Sequence, residues 1–496
     1  MRPYDRPALA MRLTSLDLLI IAVYLSGVTL FGIALRRGQS TIRDYFLGGR
    51  TAPWWAITLS IVATETSTLT IIGTPALAFA GNLTFLQLVL GYLAGRVIIV
   101  LVFLPHYFRG EFYTAYQLME RRFGAKVKAV AASTFLITRA LAEGVRIAAI
   151  GLVIHAIFGT SQRTSVLLIM ALVLLYTYEG GMKAVIWTDV VQFLLYSTGS
   201  IAALFLLLHK IPGGWATVAH IAAATNKFRV FDFSFSLFNP AKVYTFWSGM
   251  IGGAFLTMAS HGTDQTIVQR LLAAKSERES KIALLASGVI IFFQFALFLV
   301  LGVMLYTWQG APAIIHGQSY DSVFPDFIVS AMPSGARGLM IAAILAVAMS
   351  NASGSLNSMA ASSVVDFQIL RSGSIPGESH GRFLRLSRWM TLGWGVVLAL
   401  LGTLQWGPML EAGLTIASIT FGTLVGLFLL AFLLRRATAS GVVIGMFAGL
   451  VAIVYIHFRT PLVWTWYVAV GTAITFLAGA LASYASRPSR AAQDTR

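Results

Sequence analysis

Apolar runs of twenty or more residues recur along the whole 496-residue chain, and no other feature narrows its fold as far. Each run is long enough to cross the roughly 30 Å hydrocarbon core of a bilayer as a helix. Inside lipid the backbone must satisfy its own hydrogen bonds, which leaves helices or closed barrels. The runs are about twice as long as the roughly 10-residue strands of a membrane barrel, so they read as helices. Composition agrees, with 57% hydrophobic and 11% charged residues against about 25% charged in soluble domains. The first run, "LLIIAVYLSGVTLFGIALRR", has no small-residue cleavage site and ends on two arginines, so it reads as a retained span rather than a removed signal peptide. The fold class is an all-α polytopic membrane protein.

About 13 transmembrane helices are expected, at 14–35, 52–79, 84–108, 124–158, 164–183, 186–209, 244–271, 281–309, 335–370, 383–405, 408–434, 440–458 and 462–486. Two longer connections, 210–243 and 310–334, fall on one side with room for short lid helices. The terminal "SRPSRAAQDTR" is polar and reads as disordered. Thirteen spans put 23 of the 36 Lys and Arg in one set of loops and 10 in the other, with Arg96, Arg139 and Arg146 inside spans. Cytoplasmic loops carry the excess, so the N-terminus is expected outside and the C-terminus in the cytoplasm of a cell (inner or plasma) membrane.

Several function classes drop out. With no cysteine, disulfides, thiolate catalysis and Cys-ligated metals are excluded. The net charge of +17 is spread over short loops with no polybasic arm, so no nucleic-acid partner is expected. The histidines are scattered without HExxH spacing, GxSxG is missing, and the glycine-rich pieces are not P-loops. The chain is not expected to be an enzyme, and the partners it implies are a bilayer and a small-molecule substrate.

An ionisable group at bilayer depth is costly and marks function by default, although any one of them can also snorkel or pair for structural reasons. Three polar clusters lie inside spans. "SIVATETSTLTIIGTP" (60–75) places five hydroxyls and Glu65 between Thr64 and Thr70. Hydroxyls bonding back to carbonyls can break a helix, and the carbonyls so freed can hold an ion. Close helix packing through small residues is the bland reading. "AVAMSNASGSLNSMAASS" (346–363) is similarly rich in Ser and Asn and is followed by Asp366. In "YTYEGGMKAVIWTDVVQF" (176–193) the "EGG" marks a turn and Asp189 follows inside the next span, as a cap-like partner of its helix start or as a cation ligand. Finally, Arg139, Glu143 and Arg146 share one helical face. One acid cannot neutralise two arginines, so either one Arg snorkels or one is left for an anionic group.

"YTYEGGMKAVIWTDVVQ", "HGTDQTIVQRLLAAKS" (261–276), "LNS" (356–358) and "IASITFGTLVGLFLL" (416–430), in that order, resemble the signature blocks of the sodium/solute symporter family, relatives of the sodium–glucose, proline, pantothenate and sialic acid transporters. The resemblance implies a leucine-transporter-type 5+5 inverted repeat. It divides the chain into a tail, leading helix and loop (1–51), a first repeat (52–209), an external loop (210–243), a second repeat (244–434), and two trailing helices with a cytoplasmic tail (435–496). It implies Na+ as coupling ion, held by the carbonyls of Ala63, Thr66 and Val347 and the hydroxyl of Ser350. Asn351 stands where the family usually has a second Ser or Thr, and Asp189 marks the second sodium site of some members. For substrate it implies Thr64, Glu65, Thr70, Gln87, Arg139, Thr257, Ser260, His261 and Ser418. The sugar carriers have Tyr at the position of Ser260 and Asn at that of Glu65, which argues against a sugar gate.

The expected function is therefore sodium-coupled symport of a small polar organic solute, with Arg139 leaning towards a carboxylate, by alternating access and as a monomer. Proton coupling through Glu65 is the first alternative, since burial can raise a carboxyl pKa. A non-transporting membrane sensor is the second.

Overall fold

The computed structural model describes residues 13–35, 41–110, 112–158, 160–239, 242–315, 320–368, 380–404 and 409–486. The polar tail beyond residue 486 lies outside them. Helices account for most of the described residues, which contain no strand beyond one isolated bridge between Ala52 and Ala274. In order they are α1 (Ser15–Ala34), α2 (Ile42–Leu47), α3 (Trp54–Glu65), α4 (Thr68–Ala80), α5 (Leu86–Ile98), α6 (Leu104–Tyr107), α7 (Gln117–Phe123), α8 (Ala125–Phe158), α9 (Gln162–Lys210) and α10 (Gly214–Ala224). There follow α11 (Gly253–Gly262), α12 (Gln265–Leu272), α13 (Glu277–Trp308), α14 (Val323–Ala331), α15 (Ala336–Ser362), α16 (His380–Gly402), α17 (Met409–Leu433), α18 (Ala439–Arg459) and α19 (Tyr467–Ala485). The connections at 210–243 and 310–334 hold α10 and α14.

Among the described residues, nine helices are long and apolar enough to span a membrane alone, and α3 with α4 makes a tenth, bent by 64°. The other three expected spans are helical as well, each with a feature of its own. α8 carries Arg139, Glu143 and Arg146 within eight residues. α9 is broken at Gly181, whose φ of 52° and ψ of −157° favour glycine, which sets its first part apart from the span at Gly181–Lys210. The third is interrupted at Thr263 and Asp264, between α11 and α12.

The core is organised around α15. Of its apolar stretch, 94% is buried, against 33% for α18, so α15 is central and α18 faces outward. It packs along α9, and α1 lies across both. Asp17 fastens that crossing: its carboxylate accepts the Gly335 and Gly338 backbone N–H groups at 2.8 and 2.9 Å and pairs with Arg337 at 3.0 Å. Leu101, Phe293, Phe447 and Leu481 are exposed on the outer surface. Side chains of that size in such number suit lipid rather than water.

Two further features frame the interior. α5 crosses the helix at 246–262 through glycines on both sides, and a Cβ at Gly91 would stand 2.2 Å from the Gly249 carbonyl oxygen. In addition, residues from Lys227 to Asp232, and Tyr244, are strapped to the segment after α4. Leu83 N–H donates to the Arg229 carbonyl (3.1 Å), Asp232 N–H to Gln87 Oε1 (3.0 Å), and Gln87 Nε2 to the Tyr244 carbonyl (3.2 Å). Lys227 Nζ donates to the Phe79 carbonyl and lies 4.0 Å from the Tyr306 ring centre. Burial pulls the Lys227 ammonium down to about 8.

Candidate functional site

The stretch that concentrates hydroxyls is a broken helix. Thr64 and Thr66 each donate a hydroxyl to the carbonyl four residues earlier, Ser60 and Val62, at 2.8 Å. Thr66 is extended (φ −74°, ψ 115°), and Ser67 restarts the helix as N-cap in a capping box with Thr70. A second break faces it. α11 ends at Gly262, and Asp264 caps α12 by accepting the Thr266 N–H at 2.8 Å. The sequence signal for it was Gly-Thr-Asp at 262–264, inside an otherwise apolar span.

A cavity of about 160 Å³ lies between the breaks. Thr64, Glu65, Thr70, Arg139, Thr257, Ser260 and His261 all line it, with Arg146, Asp264 and the aromatic side chains Phe85, Tyr92, Phe295 and Phe421. Two expected residues do not. Gln87 is wholly buried and fully occupied as a backbone tie of the strap. Ser418 lies off the cavity face of α17, which presents Gly413, Ala417 and Phe421 at helical spacing, and its hydroxyl has no partner.

The charges resolve into pairs. Glu65 Oε2 accepts from Arg96 Nη2, and His261 Nε2 lies 3.2 Å from the same oxygen. Arg96, a lone arginine in an apolar span, was the visible signal, but its partner was not. Arg139 and Arg146 share Glu143 at 3.9 and 3.2 Å, and the missing second acid is Asp264, 3.6 Å from Arg139. Ser355 joins them, accepting from Arg139 Nε (3.0 Å) and donating to Glu143 (2.9 Å). Glu65 is thus the partner of an arginine on a neighbouring span, and the carboxylate on which proton coupling rested is already matched by a fixed cation.

Thr66, Val347, Ser350 and Asn351 come together where α3 breaks against α15, and Ala63 lies buried on α3 just before the break. Asn351 Nδ2 donates to the Thr66 carbonyl at 2.7 Å and the Val347 carbonyl at 3.0 Å, while its Oδ1 is buried without a partner. Asp189 stands one residue further away. Its Oδ1 accepts the Ser350 hydroxyl (2.6 Å), and its Oδ2 accepts Ser60 (2.5 Å) and Arg270 Nη2 (2.9 Å). Counting loop cations assigns Arg270 to the cytoplasm, yet it is completely buried. Gly354 makes room for it, since a Cβ there would lie 2.6 Å from Nη2. The described residues hold no cluster of three or more His, Cys, Asp or Glu able to bind a metal, so hard oxygens from carbonyls and hydroxyls are what this interior offers a cation.

The family profile "Sodium:solute symporter family" matches residues 45–449. The chain belongs to this family. It is 27% identical over 482 residues to the sodium/sialic acid symporter SiaT of Proteus mirabilis, covering 94% of each chain. It is 28% identical to the human sodium/iodide cotransporter, covering 86% of this chain and 66% of the human one. A solved structure of a Na+-coupled sialic acid symporter, substrate-bound and outward-open, superposes with a TM-score of 0.87 at 26% identity, covering 96% of this chain and 99% of that one. The fold is the leucine-transporter type. This symporter is a multi-pass membrane protein that couples solute transport to sodium, and it is a transporter rather than an enzyme.

Proposed function

We propose that the symporter carries one sodium ion together with one small organic anion, so that the pair crosses as a neutral unit. The observation that carries this is charge balance. Four acids (Glu65, Glu143, Asp189, Asp264) face four arginines (Arg96, Arg139, Arg146, Arg270) in and beside the cavity. A net charge held in such surroundings is costly, and a sodium ion is matched most cheaply by a monoanion. Two fixed features favour the anion. Arg139 and Arg146 both line the cavity, and so does the N-terminal turn of α4, whose backbone N–H groups carry partial positive charge. Two of the proteins it resembles are named for iodide and for sialic acid, both anions.

Sodium is assigned to the carbonyls of Ala63, Thr66 and Val347 with the oxygens of Ser350 and Asn351. The helix break freeing Thr66 and the unpartnered Oδ1 of Asn351 support this. Asp189 acts one step back rather than as a ligand: by accepting the Ser350 proton it leaves that oxygen's lone pairs for the ion. The substrate side comprises Thr64, Glu65, Thr70, Arg139, Thr257, Ser260 and His261. The N-terminus lies outside and the C-terminus in the cytoplasm. Moving Arg270 out of the loop count leaves a 22 to 10 split of cations, which still supports that orientation. Residues 52–209 and 244–434 are the two repeats, and the first span of each is a broken one. The chain works as a monomer, since both sites are built within one copy.

The test is a thermal-shift screen in NaCl against choline chloride, using sialic acid, iodide, lactate, glucose and proline. A ligand at 100 times its Kd stabilises by about 2.7 kcal/mol. Stabilisation by an anion, in NaCl only, is the expected result. Stabilisation by glucose or proline with none by any anion would overturn the neutral-pair reading.

A further inference from the structure

Asn351 is placed as both halves of a switch. Its Nδ2 lies within hydrogen-bond distance of two carbonyl oxygens, Thr66 at 2.7 Å and Val347 at 3.0 Å. These are two of the oxygens assigned to sodium. An amide nitrogen has two protons, one for each carbonyl, whereas a serine or threonine hydroxyl has one proton and could satisfy only one of them. The amide orientation is set by its surroundings. With the side chain turned over, Oδ1 would face both carbonyls and three acceptors would converge, an arrangement that only a cation holds together. As placed, Oδ1 is buried with nothing to accept from, in a residue 1% exposed. A buried, unsatisfied oxygen calls for an explanation.

The break is also held from other sides. Gln294 Nε2 on α13 donates to the Thr66 hydroxyl at 2.6 Å, Tyr196 on α9 donates to the same oxygen at 3.3 Å, and that hydroxyl donates onward to the Val62 carbonyl. The two kinds of grip differ. Gln294 and Tyr196 hold the side chain of Thr66, which sodium does not need. Only Asn351 occupies the carbonyl that sodium does need.

We propose that the Asn351 amide is a built-in stand-in for the ion: its NH2 bridges the break of α3 to α15 when sodium is away, and on sodium binding it rotates to present Oδ1 as a ligand. The proposal rests on the sodium site given above. Two consequences follow. The break stays tied to α15 without sodium, and sodium must displace a satisfied donor pair, so it binds more weakly than it would to the same oxygens without the plug.

The experiment is hydrogen–deuterium exchange on the purified full-length protein in choline chloride and in NaCl, following peptides that cover 60–70, with sodium titrated alone. Wild type is compared with Asn351→Ser, which keeps an oxygen but loses the donor pair, and with Asn351→Asp, which keeps the shape and has no donor. Asn351→Asp loses two hydrogen bonds of about 1 kcal/mol each and Asn351→Ser at least one of them. In choline Asn351→Asp should therefore exchange roughly tenfold or more faster than wild type at 60–70, and Asn351→Ser roughly fivefold or more. Sodium should restore protection in both, and Asn351→Ser should need less sodium than wild type for half its effect. Asn351→Asp adds a charge and would bind sodium more tightly in any case, so its exchange in choline is the informative reading. Unchanged exchange in choline for both variants, or a weaker sodium requirement met only by wild type, overturns the stand-in. Absence of any sodium effect at 60–70 in all three proteins overturns the sodium site itself and the stand-in with it.

Discussion

Replacing Glu65 by Gln tests whether this carboxylate is one half of an ion pair or a neutral acid. Arg96 is wholly buried, and its one carboxylate partner is Glu65; its other partners are the Ser287 hydroxyl and the Tyr92 carbonyl, each at 3.3 Å, and His261 Nε2 at 3.2 Å. Removing one member of a buried pair costs about 3–5 kcal/mol, because the remaining charge stays buried. A protonated carboxyl is close to an amide in shape and hydrogen bonding, so if Glu65 were neutral the same change would cost about 1 kcal/mol or less. The assay is unfolding in mixed micelles of Glu65→Gln, Arg96→Gln and the double variant. Both single variants should lose about 3–5 kcal/mol. The double variant should be more stable than the sum predicts by about 2 kcal/mol or more. A Glu65→Gln protein within about 1 kcal/mol of wild type, with additive double-variant behaviour, would refute the pairing and return Glu65 to the candidates for proton coupling.

Two further outcomes follow from the fold. Lys227 has its pKa lowered by burial from 10.5 to about 8, so between those values the unfolded chain binds a proton that the folded one has released. Stability therefore rises with pH across that window, and Lys227→Met should flatten the rise in a melting series from pH 7 to 10. Gly91→Ala puts a Cβ 2.2 Å from the Gly249 carbonyl oxygen and 2.9 Å from Gly253 Cα, an overpacking that should cost about 1–3 kcal/mol or more. Gly27→Ala, with nothing within 4 Å, should be neutral or stabilising by up to about 1 kcal/mol, and equal melting temperatures for the two would sink the close-crossing argument.

What the sequence revealed and what it hid divide along a physical line. Long apolar runs and hydroxyl-rich interruptions are local, so the helices, the break near Thr66 and the turn at Gly181 could be read directly. Pairing is not local. Glu65 and Arg96 lie on separate helices, as do Asp189 and Arg270 and Arg139 and Asp264, and no periodicity connects them. Arg270 misled because a basic residue near a span end looks like a loop residue until Asp189 and the gap at Gly354 are placed beside it. Gln87 misled differently: its amide is polar and buried, as a substrate ligand would be, but the backbone of the strap already uses both ends. Ser418 missed by a single residue, since one step along α17 rotates a side chain by about 100°.

The buried pairs also impose an order on synthesis. Glu65 meets Arg96 after 31 residues, whereas Asp189 has to wait 81 residues for Arg270. At roughly 5–20 residues per second, that second interval lasts about 4–16 s. During it the second half of α9 sits at the insertion machinery with an acid in a bilayer-length helix and no cation yet made to receive it. The Asp189–Arg270 pair can therefore close only after α12 has emerged. Assembly of the interior is closed by the later charge of each pair, and a ribosome pause placed between them should trap α9 at the membrane edge.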